Sequence, residues 1–166
     1  MTASASVHAS AVLVGDRAVL IRGPSGAGKS RLAFDLILAG QAGQIPAATL
    51  VGDDRVYLDA AQGQLVVRPA PELAGLIEVR GLGIRRCDFA EQAVVGLVVD
   101  LSAADAERMP APDALFASID GVIIPRIPVG AAFQALPLVV AALSTRPSDD
   151  CSKGIGNHIS PTIATQ

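Results

Sequence analysis

Gly23-Pro24-Ser25-Gly26-Ala27-Gly28-Lys29-Ser30 is the stretch on which the reading of this chain turns. It matches G-x-x-x-x-G-K-[ST] at every fixed position, and each position has a physical reason. Glycines let the backbone fold tightly enough for successive N–H groups to point at phosphate oxygens. A helix opening at the end of the loop adds a dipole that favours anions. Lys29 is then placed to reach terminal phosphates, and the Ser30 hydroxyl to ligate Mg2+. The flanks agree: the apolar strand Ala18–Ile21 precedes the loop and a helical pattern follows it. Lys29 is also the only lysine in the first 152 residues, so a generally basic surface does not explain it.

Working outward, Ala11–Val14 and Arg17–Ile21 flank Gly15-Asp16, which predicts a type II′ hairpin. If Val14 opposes Arg17 and the register runs on, His8 faces Gly23. Downstream, Ser30–Leu38 carries Leu32, Ala33, Leu36 and Ile37 on one helical face, with Gly40 expected to close the helix. Leu50-Val51 leads into Gly52-Asp53-Asp54. Arg55–Asp59 and Leu65–Arg68 predict a second hairpin across Ala61-Gln62-Gly63. Val94–Leu101 and Val122–Ile124 read as buried strands, and Ala131–Leu143 as a helix interrupted by Pro137. Hairpins mixed with a strand–loop–helix unit predict an α/β fold with a mixed sheet. Residues 1–146 are expected to form one catalytic domain, and the polar, aperiodic stretch 147–166 a loosely ordered tail.

Composition narrows the classes. The chain has 166 residues, 51% hydrophobic and 17% charged, enough apolar surface for a core and too little charge for disorder. Aromatics make up 3%, so the core must be aliphatic. A net charge of −3 argues against nucleic acid or an anionic membrane as partner. The N-terminus has no signal-peptide pattern, and apolar runs such as Val94–Val99 fall short of the about 20 residues a membrane span needs. Cys87 and Cys151 fit no metal-binding spacing and are expected to be reduced thiols in a cytoplasmic protein.

Two further constellations carry chemistry. Leu50-Val51-Gly52-Asp53-Asp54 is an apolar strand ending in two acids, where a P-loop protein commonly organises Mg2+. Adjacent strand residues point to opposite faces, so one acid is expected to face the phosphates. It could hold metal or accept a proton, while its neighbour could pair with Arg55 or a backbone donor. In Ile77-Glu78-Val79-Arg80-Gly81-Leu82-Gly83-Ile84, alternation puts Glu78 and Arg80 on one face. That suits a metal ligand with a phosphate clamp, or equally a salt-bridged strand edge.

Taken together, His8, the loop Gly23–Ser30, the run Asp53-Asp54-Arg55-Val56 and above all Ile77–Ile84 resemble the catalytic domain of HPr kinase/phosphorylase. The resemblance covers roughly Ala5 to Leu143. It implies a P-loop, phosphoenolpyruvate-carboxykinase-like mixed sheet with flanking helices, and ATP-dependent phosphorylation of a serine on an HPr-type phosphocarrier of the phosphotransferase system. It implies that His8 accompanies the acidic pair, that Lys29 binds phosphate, and that Ser30 and Glu78 ligate Mg2+. One of Asp53 and Asp54 acts as base, with Asp54 favoured by the motif alignment. Arg108 stands where the family has an active-site arginine. Family members tend to be hexamers, and the chain resembles a short form lacking the usual N-terminal domain. The family's arginine-containing loop after Pro128-Val129 is here Gly130-Ala131-Ala132-Phe133, which puts the phosphorylase half in question. A small-molecule kinase on the same scaffold and a non-catalytic ATP-sensing module are the competing readings.

Overall fold

The structure, a computed structural model, describes residues 5–148. Its strands are β1 (Ser6–Val7), β2 (Ser10–Val14), β3 (Arg17–Arg22), β4 (Ala48–Gly52), β5 (Val56–Ala61), β6 (Gln64–Pro69), β7 (Leu76–Val79), β8 (Gly83–Arg86), β9 (Ala93–Leu101), β10 (Phe116–Ile119) and β11 (Val122–Val129). The described residues also form two α-helices, α1 (Lys29–Gln41) and α2 (Ala135–Ser144), and two short 3-10 helices, Pro71–Leu73 and Pro112–Leu115. The main sheet runs β1-β5-β6-β9-β3-β2-β4, with β11 also beside β9 and β10 beside β11. It is mixed: β3 and β11 flank β9 in parallel, and most other pairs are antiparallel. The α/β class expected from the hairpins and the strand–loop–helix unit is the one observed.

The central strands are apolar on both faces because both are covered. Val19 and Ile21 of β3 join Leu97, Val99 and Leu101 of β9 beneath Leu32 and Leu36 of α1 and Val139 of α2. Ala18, Leu20 and Val98 face the other way, into a second core with Val56, Leu65, Val67 and Ile124 from the curled part of the sheet. No fully buried side chain in either cluster is larger than Leu or Ile, and the one aromatic packed against them, Phe34, is only partly buried.

The first hairpin forms with Val14 opposite Arg17 and a positive φ at Gly15 but not Asp16, the pattern of the expected turn. Its ladder stops at Ser10 opposite Ile21, however, and the preceding β1 pairs with β5 instead. His8 lies in this change of partner, so the expected pairing with Gly23 is not made. The second hairpin turns on Gln62-Gly63, both at positive φ, one residue tighter than expected. Pro137 is tolerated in α2 because it falls in the first turn, where its missing N–H would have no helical acceptor.

Gly40 does not close α1. The helix continues to Gln41 and ends in a Schellman arrangement: Gln44 N–H donates to Ala39 O, Gly43 N–H donates to Gly40 O, and Gly43 takes the left-handed φ of 75°. Gly40 has a different task, close approach to β4. A Cβ there would lie 2.8 Å from Ala48 N and 2.9 Å from Ala48 Cβ. Gly40→Ala is therefore expected to destabilise the fold by about 1–3 kcal/mol, overriding a helix-propensity gain of about 1 kcal/mol. Thermal unfolding checks this; an unchanged or raised Tm would mean that β4 moves aside without strain.

Candidate functional site

The loop between β3 and α1 has the shape that its glycines allow. Gly26 and Gly28 hold φ values of 81° and 99°, where other side chains are strained. Gly28 caps α1, so the helix N-terminus opens at the end of the loop. Lys29 is only 7% exposed, and its ammonium donates to the carbonyls of Gly23 (2.8 Å) and Pro24 (3.1 Å). The lysine thus lies folded over its own loop.

The two acids part at a tight turn rather than by strand alternation, because β4 ends at Gly52. Arg55 N–H donates to Asp53 O at 2.8 Å, and Asp54 between them adopts a φ of 67°. A left-handed Asp is strained and persists where its surroundings demand it. The result is two carboxylates in opposite settings. Asp53 is buried and accepts from the Ser10 hydroxyl (2.6 Å), the Ser30 hydroxyl (2.8 and 2.9 Å) and the Glu78 backbone N–H (3.1 Å). Asp54 is exposed, and one of its oxygens lies 2.8 Å from His8 Nε2. Neither acid pairs with Arg55.

These contacts gather Lys29, Ser30, Asp53, Asp54, His8 and the backbone of Glu78 at the carboxyl end of β4 and the amino end of α1. The donor set suits a hard cation: a hydroxyl and one or two carboxylates, the remaining positions falling to phosphate and water, as Mg2+ prefers. Among the described residues no group of three or more His, Cys, Asp or Glu side chains could hold a metal unaided. Glu78 and Val79 end β7, which turns through Arg80, Gly81 and Leu82 into β8. Gly81 and Gly83 take φ values of 98° and 93°. Arg80 lies in that turn rather than in the strand, and Leu82 and Ile84 are largely exposed. Arg108 lies in the irregular segment 102–111, exposed and without a hydrogen bond or ion pair among the described residues. Cys87 is a free thiol, pushed up by burial and by the nearby Asp88 and Asp53. Cys151 and the segment 149–166 lie outside the described residues, as does most of the expected tail. No helix among the described residues is long and apolar enough to cross a membrane.

The model of the HPr Serine kinase C-terminal domain matches residues 1–129, a span that takes in every candidate site residue from His8 to Arg108. The chain belongs to that family. An HPr kinase/phosphorylase of Mycoplasma mycoides is 38% identical over 81 residues, covering 49% of this chain and 24% of that protein. One of Geobacillus kaustophilus is 39% identical over 111 residues, covering 62% of this chain and 33% of that protein. The chain thus spans a quarter to a third of the length of these relatives. The solved structure of the Hpr(Ser) kinase/phosphatase from Coxiella burnetii matches with a TM-score of 0.65 at 26% identity, over 84% of this chain and 93% of that one. The mixed α/β fold is therefore that of the HPr serine kinase family.

Two groups of residues in this family member carry no sequence motif. Ser10 is fully buried and spends its hydroxyl on Asp53. Across the ends of the parallel strands β3, β9 and β11 stand Arg22, Asp100 and Arg126. Asp100 accepts from Arg22 Nε (2.7 Å) and Nη2 (2.8 Å) and from Arg126 Nε (2.5 Å). The available signal was Asp100 itself, a charge set near the end of the apolar run Ala93–Leu101. Burial pushes its carboxyl up, but the hydrogen bonds from Arg22 and Arg126 outweigh this and hold it below the usual range.

A group whose folded pKa is depressed adds stability above its unfolded pKa, about 4 for Asp, and loses it as pH falls further. Asp100→Asn leaves two arginines short of a partner and is expected to cost about 3 kcal/mol near neutrality. The gap between wild type and variant should narrow below about pH 4. Denaturant unfolding at several pH values measures it, and a gap independent of pH would contradict the assignment.

Proposed function

We propose that the chain is an ATP-dependent protein-serine kinase acting on an HPr-type phosphocarrier. The observation that carries the reading is the division of labour between the acids. Asp53 is committed to Ser10, Ser30 and Glu78, whereas Asp54 is exposed and hydrogen-bonded to His8. Asp54 is then the carboxylate able to meet an incoming seryl hydroxyl, and His8 orients it. The names of the relatives, each an HPr kinase of some form, support the substrate class.

In this reading the loop 23–30 and Lys29 hold the β- and γ-phosphates of ATP. Ser30 and Glu78 would ligate Mg2+, with Asp53 fixing the Ser30 hydroxyl. When bound, Mg2+ supplies neutralisation of phosphate charge. The seryl oxygen forms the new bond to the γ-phosphorus as the bond to the β–γ bridging oxygen breaks. The seryl proton passes to Asp54, and ADP leaves. Arg108 is the cation assigned to the transferring charge. Only the kinase direction is proposed, because the turn at Gly130-Ala131-Ala132-Phe133 brings no cation for an attacking phosphate. An ATP-consuming reaction of this kind belongs in the cytoplasm, and the family resemblance implies a hexamer. The test is incubation of the purified chain with ATP, Mg2+ and an HPr-type phosphocarrier. One added phosphate, mapped to serine, is the expected product; phosphorylation of metabolites instead would overturn the reading.

A further inference from the structure

Segment 102–111 leaves the carboxyl end of β9 beside the phosphate loop. Its neighbour Leu101 sits so close to Gly23 that a Cβ there would lie 3.0 Å from Leu101 Cβ. Two interactions hold the first part of the segment, and a third observation shows how closely it lies on the turn after β11. Ala103 N–H donates to Val129 O at 2.9 Å. A Cβ on Gly130 would lie 3.4 Å from Ala106 Cβ. Between them, Asp105 accepts from Arg126 Nη1 at 2.8 Å and Nη2 at 3.0 Å. Beyond Ala106, Glu107, Arg108 and Met109 are exposed.

Arg126 differs from an ordinary surface partner. Only 13% of its side chain is exposed, and it is fixed from behind by Asp100 and by the carbonyl of Ala114, 2.8 Å from Nη1. Exposed ion pairs are weak largely because two mobile side chains must be immobilised. Here one of the two is already immobile, and its planar fork meets the carboxylate with both nitrogens. Lysine could not replace it, since a point charge cannot reach Asp100, Asp105 and Ala114 together.

We propose that Arg126 and Asp105 are positioning residues: their paired contact anchors segment 102–111 at the carboxyl edge of the sheet and so presents Arg108, three residues on, to the transferring phosphate. The anchor rests on the geometry alone; its consequence for turnover rests on the kinase reading above. Asp105 is half-exposed, so Asp105→Asn spares the fold while weakening the anchor.

The experiment combines amide exchange with steady-state phosphorylation of a phosphocarrier, on the full chain carrying D105N, R108A or both. Asp105→Asn is expected to speed exchange across residues 103–108, lower kcat about tenfold and leave KM for ATP unchanged. In the R108A background it should lower kcat no further, because the anchor acts through Arg108. Arg126→Lys should behave like Asp105→Asn, and Asp105→Glu should recover most of the turnover. Wild-type exchange and kcat in D105N would overturn the proposal, as would losses that multiply with those of R108A. A wild-type chain that transfers no phosphate would overturn the kinase reading alone, and exchange across 103–108 would then decide the anchor.

Discussion

Lys29→Ala is expected to abolish phosphoryl transfer, with turnover falling by at least about a thousandfold. The ammonium already lies over the loop, on the carbonyls of Gly23 and Pro24, so it needs only a short swing to meet phosphates there. Neither arginine that flanks the loop is placed to substitute. Arg22 is tied to Asp100, and Arg31 is 87% exposed, with its Nε 4.0 Å from Asp35 on the next turn of α1. Lysine is otherwise absent from the first 152 residues. Stability should change little, because the ammonium bonds only to carbonyls of its own loop. A radiolabel assay beside a thermal melt separates the two effects. Retained transfer in a folded K29A chain would remove the phosphate loop from the mechanism.

Asp54→Asn is expected to lower turnover by about 10²–10⁴, the usual contribution of a positioned base, while nucleotide binding stays at the wild-type level. Asn preserves the shape and the left-handed φ that Asn tolerates well, so the strained turn should survive. Asp53→Asn should fail differently. It disturbs a buried acceptor shared by Ser10, Ser30 and Glu78, and so should weaken Mg2+-dependent nucleotide binding together with stability. Calorimetric titration with ATP, run beside the transfer assay, distinguishes them. Wild-type turnover in D54N, or full nucleotide binding with lost turnover in D53N alone, would reverse the two roles.

The contrast between these acids also marks where the sequence could and could not be read. A residue type confined to special geometry, such as glycine before lysine in the loop, announces itself. So does an apolar run that ends in two acids. What alternation could not supply was the turn at Asp53-Asp54, since a left-handed Asp breaks the period of the strand. The hairpin register failed beyond Ser10 for a similar reason: β1 finds a better partner in β5, a contact far along the chain. Of the hairpin of β10 and β11 only Val122–Ile124 was predicted: Asp120-Gly121, both at positive φ, makes its turn, but β10 had no alternating pattern to accompany it. The hairpin of β7 and β8 was hidden because β8 is exposed throughout and carries two arginines. Ser10 and Arg126 were illegible for a deeper reason: each acts only through a partner brought to it by the folded sheet.

The central claim is direct transfer from ATP to a serine of a phosphocarrier, with the proton taken by Asp54. It is tested most directly by mapping phosphate on an HPr-type protein after incubation with ATP, Mg2+ and either wild type or D54N. Wild type should give phosphoserine at one site, lost when that serine is replaced by alanine, and D54N should give little or none. Phosphate on histidine, no phosphate at all, or equal phosphoserine from both enzymes would contradict it.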